Sequence, residues 1–150
     1  ANYFDESQEE DIFDYIPPQK TNQIFTPRWV VDKMVAELEE NNPGCFDDST
    51  KTFADLYMKS GLYITEIVKR LFRSEKIKAE YPDDQERIKH ILREQVYGMA
   101  PTRIIYLIAT NYILGFDESL KNETKNFVQV DAAEAAKDGT LEALVDKYFG

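Results

Sequence analysis

The sequence predicts an α/β protein with a parallel, doubly wound sheet, and three observations support this class. Short apolar segments typical of buried strands alternate with longer segments in which apolar residues recur every three or four positions, as on one face of a helix. Strands that alternate with helices imply parallel βαβ units. The chain has 150 residues, 43% of them hydrophobic, which is enough to bury a core although its single cysteine, Cys45, excludes an internal disulfide.

The first twenty residues are predicted to be an acidic arm or linker. Residues 1–14 contain several acids and no base, and Pro17-Pro18 then interrupts regular structure. The abrupt start of this arm indicates a piece of a longer protein. The domain itself is predicted to span residues 21–150.

Five helices are predicted from the spacing of apolar residues, and the fifth closes the chain. The first begins at Thr26-Pro27, a hydroxyl cap followed by proline at the first helical position, and the second follows Ser60-Gly61. A charged helix covers residues 82–94. Pro101 opens a core helix that is apolar almost all round and is therefore expected to be well buried.

Three strands are predicted between these helices, at residues 52–57, 95–99 and 126–130. Thr140 is predicted to cap a closing helix that ends at Phe149-Gly150. Because three strands make an incomplete sheet, the sequence predicts a sheet that is truncated.

Charge and composition exclude several classes of function. The chain has 18 lysines and arginines against 28 aspartates and glutamates, a net charge of −10, so these residues are not expected to bind duplex DNA by themselves. No apolar segment approaches the roughly 18 residues of a membrane span, and a cytoplasmic location is expected. His90 lies on the charged helix and is predicted to be a surface residue. No metal site is predicted, because neither pair of adjacent aspartates has the spacing of a calcium loop.

The carboxyl ends of parallel strands are where α/β proteins bind ligands, so the residues that follow each strand are the candidates for a binding site. After the first strand, an acid, Asp55, is followed by a tight loop and by Gly61, which opens a helix. This pattern is typical of a nucleotide-type ligand loop, because glycine admits close approach to the backbone and a helix amino end favours an anion. Alternatively, Gly61 simply lets the helix pack on the strand.

The order of the segments is more specific than any one of them. Asn22-Gln23-Ile24-Phe25-Thr26-Pro27 and a helix precede the strand that ends at Asp55. The second strand continues into Gly98-Met99-Ala100-Pro101, and the third into Asp131-Ala132. This order resembles the amino-group, adenine-specific DNA methyltransferases of restriction–modification systems. The loop Asp-Leu-Tyr-Met-Lys-Ser-Gly is most similar to the large enzymes that fuse helicase, methyltransferase and recognition parts.

The resemblance spans about residues 21–150 and implies part of a Rossmann-like fold that binds S-adenosylmethionine. In that family the Phe-Thr-Pro segment lies by the methionine carboxylate of the cofactor. The acid-to-glycine loop wraps the methionine part, and the acid after the third strand lies near the adenine. The residues to which the resemblance assigns these contacts are Phe25, Thr26, Pro27, Asp55, Ser60, Gly61 and Asp131.

Two positions of the expected cofactor site depart from the family pattern. Lys59 stands where the family has a further glycine, and its side chain crowds the cofactor unless it swings away or pairs with the carboxylate. Ala100 stands where the family has an acid that holds the ribose hydroxyls, and it offers no acceptor.

The family's transfer step uses Asn or Asp followed by Pro-Pro and an aromatic, on a loop after a fourth strand. The sequence does not contain this motif, which is expected shortly beyond Gly150, so no catalytic residue is assigned and the chain is not expected to methylate DNA alone. DNA would be contacted by other parts and other domains of the parent chain.

The resemblance therefore implies the S-adenosylmethionine-binding portion of an adenine-specific DNA methyltransferase from a bacterial restriction–modification enzyme. An alternative is a degenerate, non-catalytic scaffold with the same fold. A nicotinamide- or nucleotide-binding domain of another class is a third hypothesis, although neither a G-x-G-x-x-G turn nor a Gly-Lys-Ser/Thr loop is present.

Overall fold

The predicted alternation of strands and helices is present in a computed structural model, which describes residues 27–115 and 117–150. The predicted arm, residues 1–20, and the segment up to Thr26 lie outside the described residues. In chain order the elements are α1 (Arg28–Asn41), β1 (Phe53–Asp55), α2 (Leu62–Arg73), α3 (Glu75–Glu80), α4 (Asp84–Glu94), β2 (Val96–Ala100), α5 (Arg103–Ile113), β3 (Phe127–Gln129), α6 (Ala132–Lys137) and α7 (Leu141–Phe149).

The three strands form one parallel sheet in the order β1-β2-β3. Phe53 pairs with Val96 in the first ladder, and Gly98 pairs with Phe127 in the second. The α/β class and the parallel sheet are therefore confirmed. Because all three strands run the same way, their carboxyl ends meet at one edge, where α2, α5 and α6 begin.

The hydrophobic core lies on one face of this sheet. Successive side chains of a strand point to opposite faces, so Val96 and Ala100 share a face, and both belong to the core with Phe127. Helix α2 is central, because its apolar stripe is fully buried and it contacts α1, α4 and α5. On the opposite face, the ring of Tyr97 packs against Phe149 of α7 with centroids 5.2 Å apart, so helices flank both faces.

Two predicted helix starts need correction, and a third is right in position but lacks the expected capping hydrogen bond. Pro27 occupies the cap position of α1 and not its first helical position, and its carbonyl accepts the N–H groups of the third and fourth residues that follow it. Helix α5 begins after Pro101, because the hydroxyl of Thr102 accepts the N–H of Ile105 at 3.3 Å. Thr140 holds the cap position of α7, but its hydroxyl donates backwards to the Ala135 carbonyl.

Helix α5 is also less buried than its composition predicts. It packs on α2 and on the sheet, and its remaining side faces solvent, so that Ile104 is 50% and Leu107 42% exposed. Helices α3 and α6 were not predicted. Each has six residues, which is too short for an apolar repeat, and each depends on the capping side chain before it, Ser74 or Asp131.

The prediction for His90 is wrong, because the residue is half-buried. Its ring stacks on Tyr81 with centroids 4.4 Å apart, and its Nε2 donates to the carbonyl of Ser49 at 2.8 Å. The imidazole thus holds the loop before β1 against α4. Within the described part of the chain, none of the helices is both long and apolar enough to cross a bilayer.

Candidate functional site

A cleft of about 300 Å³ opens at the carboxyl end of β1. The loop between β1 and α2 forms one wall, and α1 forms the other. The described residues that line it are Val31, Met34, Asp55, Tyr57, Lys59, Ser60, Gly61, Leu62 and Tyr63. Its volume lies at the lower end of the range for small-molecule sites, so it accommodates a small ligand or one part of a larger one.

The loop is held against the middle strand, and this fixes the shape of the cleft. The N–H of Met58 donates to the carbonyl of Met99 at 2.9 Å, which continues the β1–β2 ladder past the end of β1. The Met58 side chain is buried over Gly98, where an added Cβ would lie 2.5 Å from the Met58 sulfur. Gly98 is therefore required for the loop to lie this close to the sheet.

Gly61 has two structural reasons to be glycine. Its φ of +84° is in the left-handed region, and an added Cβ would lie 2.8 Å from the carbonyl oxygen of Ala109. The close neighbour of Gly61 is thus helix α5 and not the strand. This packing brings the amino end of α2 to the cleft, and it accounts for Gly61 without a ligand.

The hydroxyl of Ser60 also has a local partner. Ser60 is buried, and its Oγ accepts the N–H of Leu62 at 3.3 Å. The carbonyl of Gly61 accepts both the N–H and the hydroxyl of Thr65. One of the N–H groups at the start of α2 is therefore already satisfied within the loop.

Asp55 is the acid of the cleft, and its charge is incompletely compensated. One carboxylate oxygen accepts the N–H of Tyr57 at 3.0 Å. Burial nevertheless raises the pKa of Asp55, against the opposing effects of that N–H and of the positive charge of Lys59. Burial, and then the negative charge of Asp55, raise the pKa of Tyr63, which places its phenol near the carboxylate.

The structure brings together four of the predicted site residues, Asp55, Lys59, Ser60 and Gly61. Three others lie elsewhere. Pro27 is exposed at the start of α1. The Ala100 side chain is fully buried on the core face of β2. The exposed carboxylate of Asp131 caps α6 by accepting the N–H groups of the second and third residues after it. Phe25 and Thr26 lie outside the described residues.

Sequence reasoning missed the apolar walls of the cleft. The apolar spacing of α1 predicts a core position for Met34, yet this residue is 43% exposed and lines the cleft beside Val31. Tyr57 is 50% exposed on the loop. The sequence does not single out Tyr57, because the same loop also contains the apolar residues Leu56 and Met58.

A buried ionic cluster fixes α1 against α2 beside the cleft. Glu66 of α2 accepts from Lys69 at 3.2 Å and from Arg28 at 3.3 Å. Arg28 is the first residue of α1, so the cluster fixes the amino end of that helix. A buried carboxylate requires such partners, because an uncompensated charge in the interior is costly.

The cleft offers an acid, a base and apolar walls, which suits a small molecule with an ammonium, a carboxylate and an apolar body. The described residues contain no group of three or more His, Cys, Asp or Glu side chains that could hold a metal ion. No family model, no curated protein and no solved structure matches the chain.

Proposed function

We propose that this chain is the S-adenosylmethionine-binding portion of an adenine-specific DNA methyltransferase from a bacterial restriction–modification enzyme. The observation that carries the proposal is the cleft at the carboxyl end of β1, which is lined by Asp55, Lys59, Ser60 and Gly61. The resemblance assigns three of them, Asp55, Ser60 and Gly61, to the methionine part of the cofactor, and Lys59 stands where the family has a glycine. In this proposal the sheet belongs to a Rossmann-like methyltransferase fold.

The residues of the cleft fit the amino-acid end of S-adenosylmethionine. The half-buried carboxylate of Asp55 has one N–H partner, and it suits the cofactor's ammonium. The amino end of α2 favours a carboxylate. Val31, Met34 and Tyr57 supply an apolar wall for the rest of the methionine chain. When bound, the cofactor supplies a methyl group activated by a positively charged sulfur.

The charge of the chain supports a proposal in which other parts of the parent protein bind the DNA. A net charge of −10 repels phosphates, whereas DNA-binding surfaces are rich in lysine and arginine. Methyl transfer to the exocyclic amino group of adenine also requires the base to leave the stack and be held by polar groups. In this proposal the parent protein supplies those groups, and this chain holds the methyl donor.

Isothermal titration calorimetry with S-adenosylmethionine tests the proposal. The unaltered chain should bind, and Asp55→Asn should bind at least about tenfold more weakly, because a neutral amide replaces the charged partner of the ammonium. The matched control is Asp48→Asn, which alters a half-exposed acid whose carboxylate bonds Thr50 and does not line the cleft. Absence of binding by the unaltered chain would overturn the proposal.

A methyltransferase-like scaffold without the cofactor is the second candidate, and two residues favour it. Ala100 has no acceptor and is fully buried, and the Asp131 carboxylate already caps α6. The scaffold hypothesis expects a cooperatively folded chain whose Tm does not rise with added S-adenosylmethionine. Cofactor binding predicts a Tm that rises with concentration, because a ligand that binds the folded state stabilises it.

A further inference from the structure

The charge arrangement of the cleft specifies how one end of a ligand would be oriented. Among the described residues that line the cleft, Asp55 and Lys59 are the charged ones, and they lie on the same loop. An acid and a base at one end of a cleft complement a zwitterion, which carries an ammonium and a carboxylate on one carbon.

The Lys59 side chain is available for this role. It is exposed and lines the cleft, and it forms no ion pair with another described residue. It is nevertheless close enough to Asp55 for its charge to lower the pKa of that carboxyl. The two charges therefore face the same space without neutralising each other in a direct contact.

Two backbone N–H groups of the loop region are already used within the protein. The N–H of Leu62 already donates to Ser60, and the N–H of Met58 donates to Met99. A ligand carboxylate at the amino end of α2 cannot use these two N–H groups, and the ammonium of Lys59 offers a charge-assisted hydrogen bond beside them.

We propose that Lys59 binds the α-carboxylate of the cofactor while Asp55 binds the α-ammonium, so that the cleft selects ligands with an intact α-amino-acid end. This inference rests on the proposed function. It gives Lys59 a contact with the ligand carboxylate. The family resemblance alone, with glycine at this position, leads one to expect that the lysine crowds the cofactor.

The test compares two ligands in calorimetry, S-adenosylmethionine and its decarboxylated form, which lacks the α-carboxylate. The unaltered chain should prefer S-adenosylmethionine by about tenfold or more, the size of one charge-assisted hydrogen bond. Lys59→Met should lose most of this preference by weakening S-adenosylmethionine alone, and Lys59→Arg should retain it. Because Lys59 is exposed, these variants are expected to fold, and circular dichroism checks this.

Lys51→Met is the matched control. Lys51 is also an exposed lysine, but it lines a different cleft, at the amino end of β1. Its replacement should leave both affinities unchanged. If the unaltered chain binds neither ligand, the proposed function fails and this inference fails with it. If the chain binds S-adenosylmethionine but Lys59→Met keeps the full preference or binds more tightly, the role of Lys59 is refuted while the proposed function stands.

Discussion

The two ends of the sheet differ in whether their polar side chains are hydrogen-bonded within the protein or face a cleft. At the amino end, the Asn126 side chain donates to two carbonyls in the last turn of α4 and to one at the start of β2. The Gln95 side chain donates to the carbonyls of Asp48 and Lys51. Arg93 forms two hydrogen bonds with Glu123. At the carboxyl end, Asp55 and Lys59 face a cleft instead. Polar groups paired within the protein stabilise a fold, and groups left facing a cleft are those available to a ligand.

Cavity size does not make this distinction. A second cleft of about 310 Å³ lies at the amino end of β1, close in volume to the 300 Å³ of the first. It is lined by Cys45, Lys51 and Phe53, among others, and contains no acid among its described lining residues. Burial raises the pKa of the Cys45 thiol, which keeps it protonated and unreactive at neutral pH. The chemistry of the lining residues, and not the volume, therefore points to the carboxyl end.

The largest expected effect is that of Gly61→Ala. Alanine at the left-handed Gly61 costs about 1 kcal/mol in backbone strain, and overlap with Ala109 adds about 1–3 kcal/mol. Gly44→Ala is the matched control, because Gly44 has a similar φ of +81° but open space around it. Urea unfolding should show a larger loss for Gly61→Ala, and equal losses would contradict the role of the contact with α5.

Asn126→Ala should destabilise the amino end by about 1–3 kcal/mol, because it leaves buried carbonyls without donors. Denaturant unfolding measures this loss. Calorimetry on the folded variant should give an unchanged affinity for S-adenosylmethionine. Asn111→Ala, on the exposed side of α5, should change neither quantity. A weakened affinity in Asn126→Ala would show that the two ends are coupled.

Asp55→Asn should bind the cofactor less well yet raise stability at neutral pH. The folded-state pKa of Asp55 is raised by burial, so its contribution to stability is present at acid pH and is lost as pH rises through that value. Asparagine removes the buried charge and keeps an oxygen for the N–H of Tyr57. Unfolding curves between pH 3 and 8 should show the gain at neutral pH and its disappearance below about pH 4, the unfolded value. A uniform loss across this range would contradict the prediction.

Glu123→Gln should have the smallest effect on stability, and at neutral pH it should lower stability where Asp55→Asn raises it. The hydrogen bonds from Arg93 lower the pKa of Glu123, so its contribution is present above the unfolded value of about 4.3 and is lost as pH falls through the lower folded value. The variant should be slightly less stable than the parent at pH 7 and equal to it at strongly acid pH. The effect should shrink in high salt, because Arg93 is exposed to solvent.

The order of elements and the parallel sheet were predictable because strands and helices have different apolar periods. Four neighbours in the cleft were predictable because the loop from Asp55 to Gly61 is local in sequence. The walls were not, because the apolar spacing of α1 does not show that Met34 faces a cleft while Val35 is fully buried. Which side of a helix is covered depends on distant elements, and the same limit applies to Ile104 and Leu107 of α5.

The placement of Ala100 was, by contrast, available from the sequence. Residues 96, 98 and 100 share one face of a strand, and Val96 already identified that face as apolar. The resemblance placed Ala100 near a ribose, whereas strand alternation places its side chain in the core, where it is fully buried.

The hydrogen bond between Met58 and Met99 makes hydrogen exchange at the Met58 amide a measure of loop opening at the cleft. The Met58 amide donates to the Met99 carbonyl of β2, so it exchanges with solvent when the loop opens. The amides of β2 itself exchange only when the sheet opens. A ligand that holds the loop closed should therefore slow deuterium uptake at Met58 more than at β2. With ligand bound, the loop and the sheet would then open together, as one cooperative unit that extends from β2 to Met58.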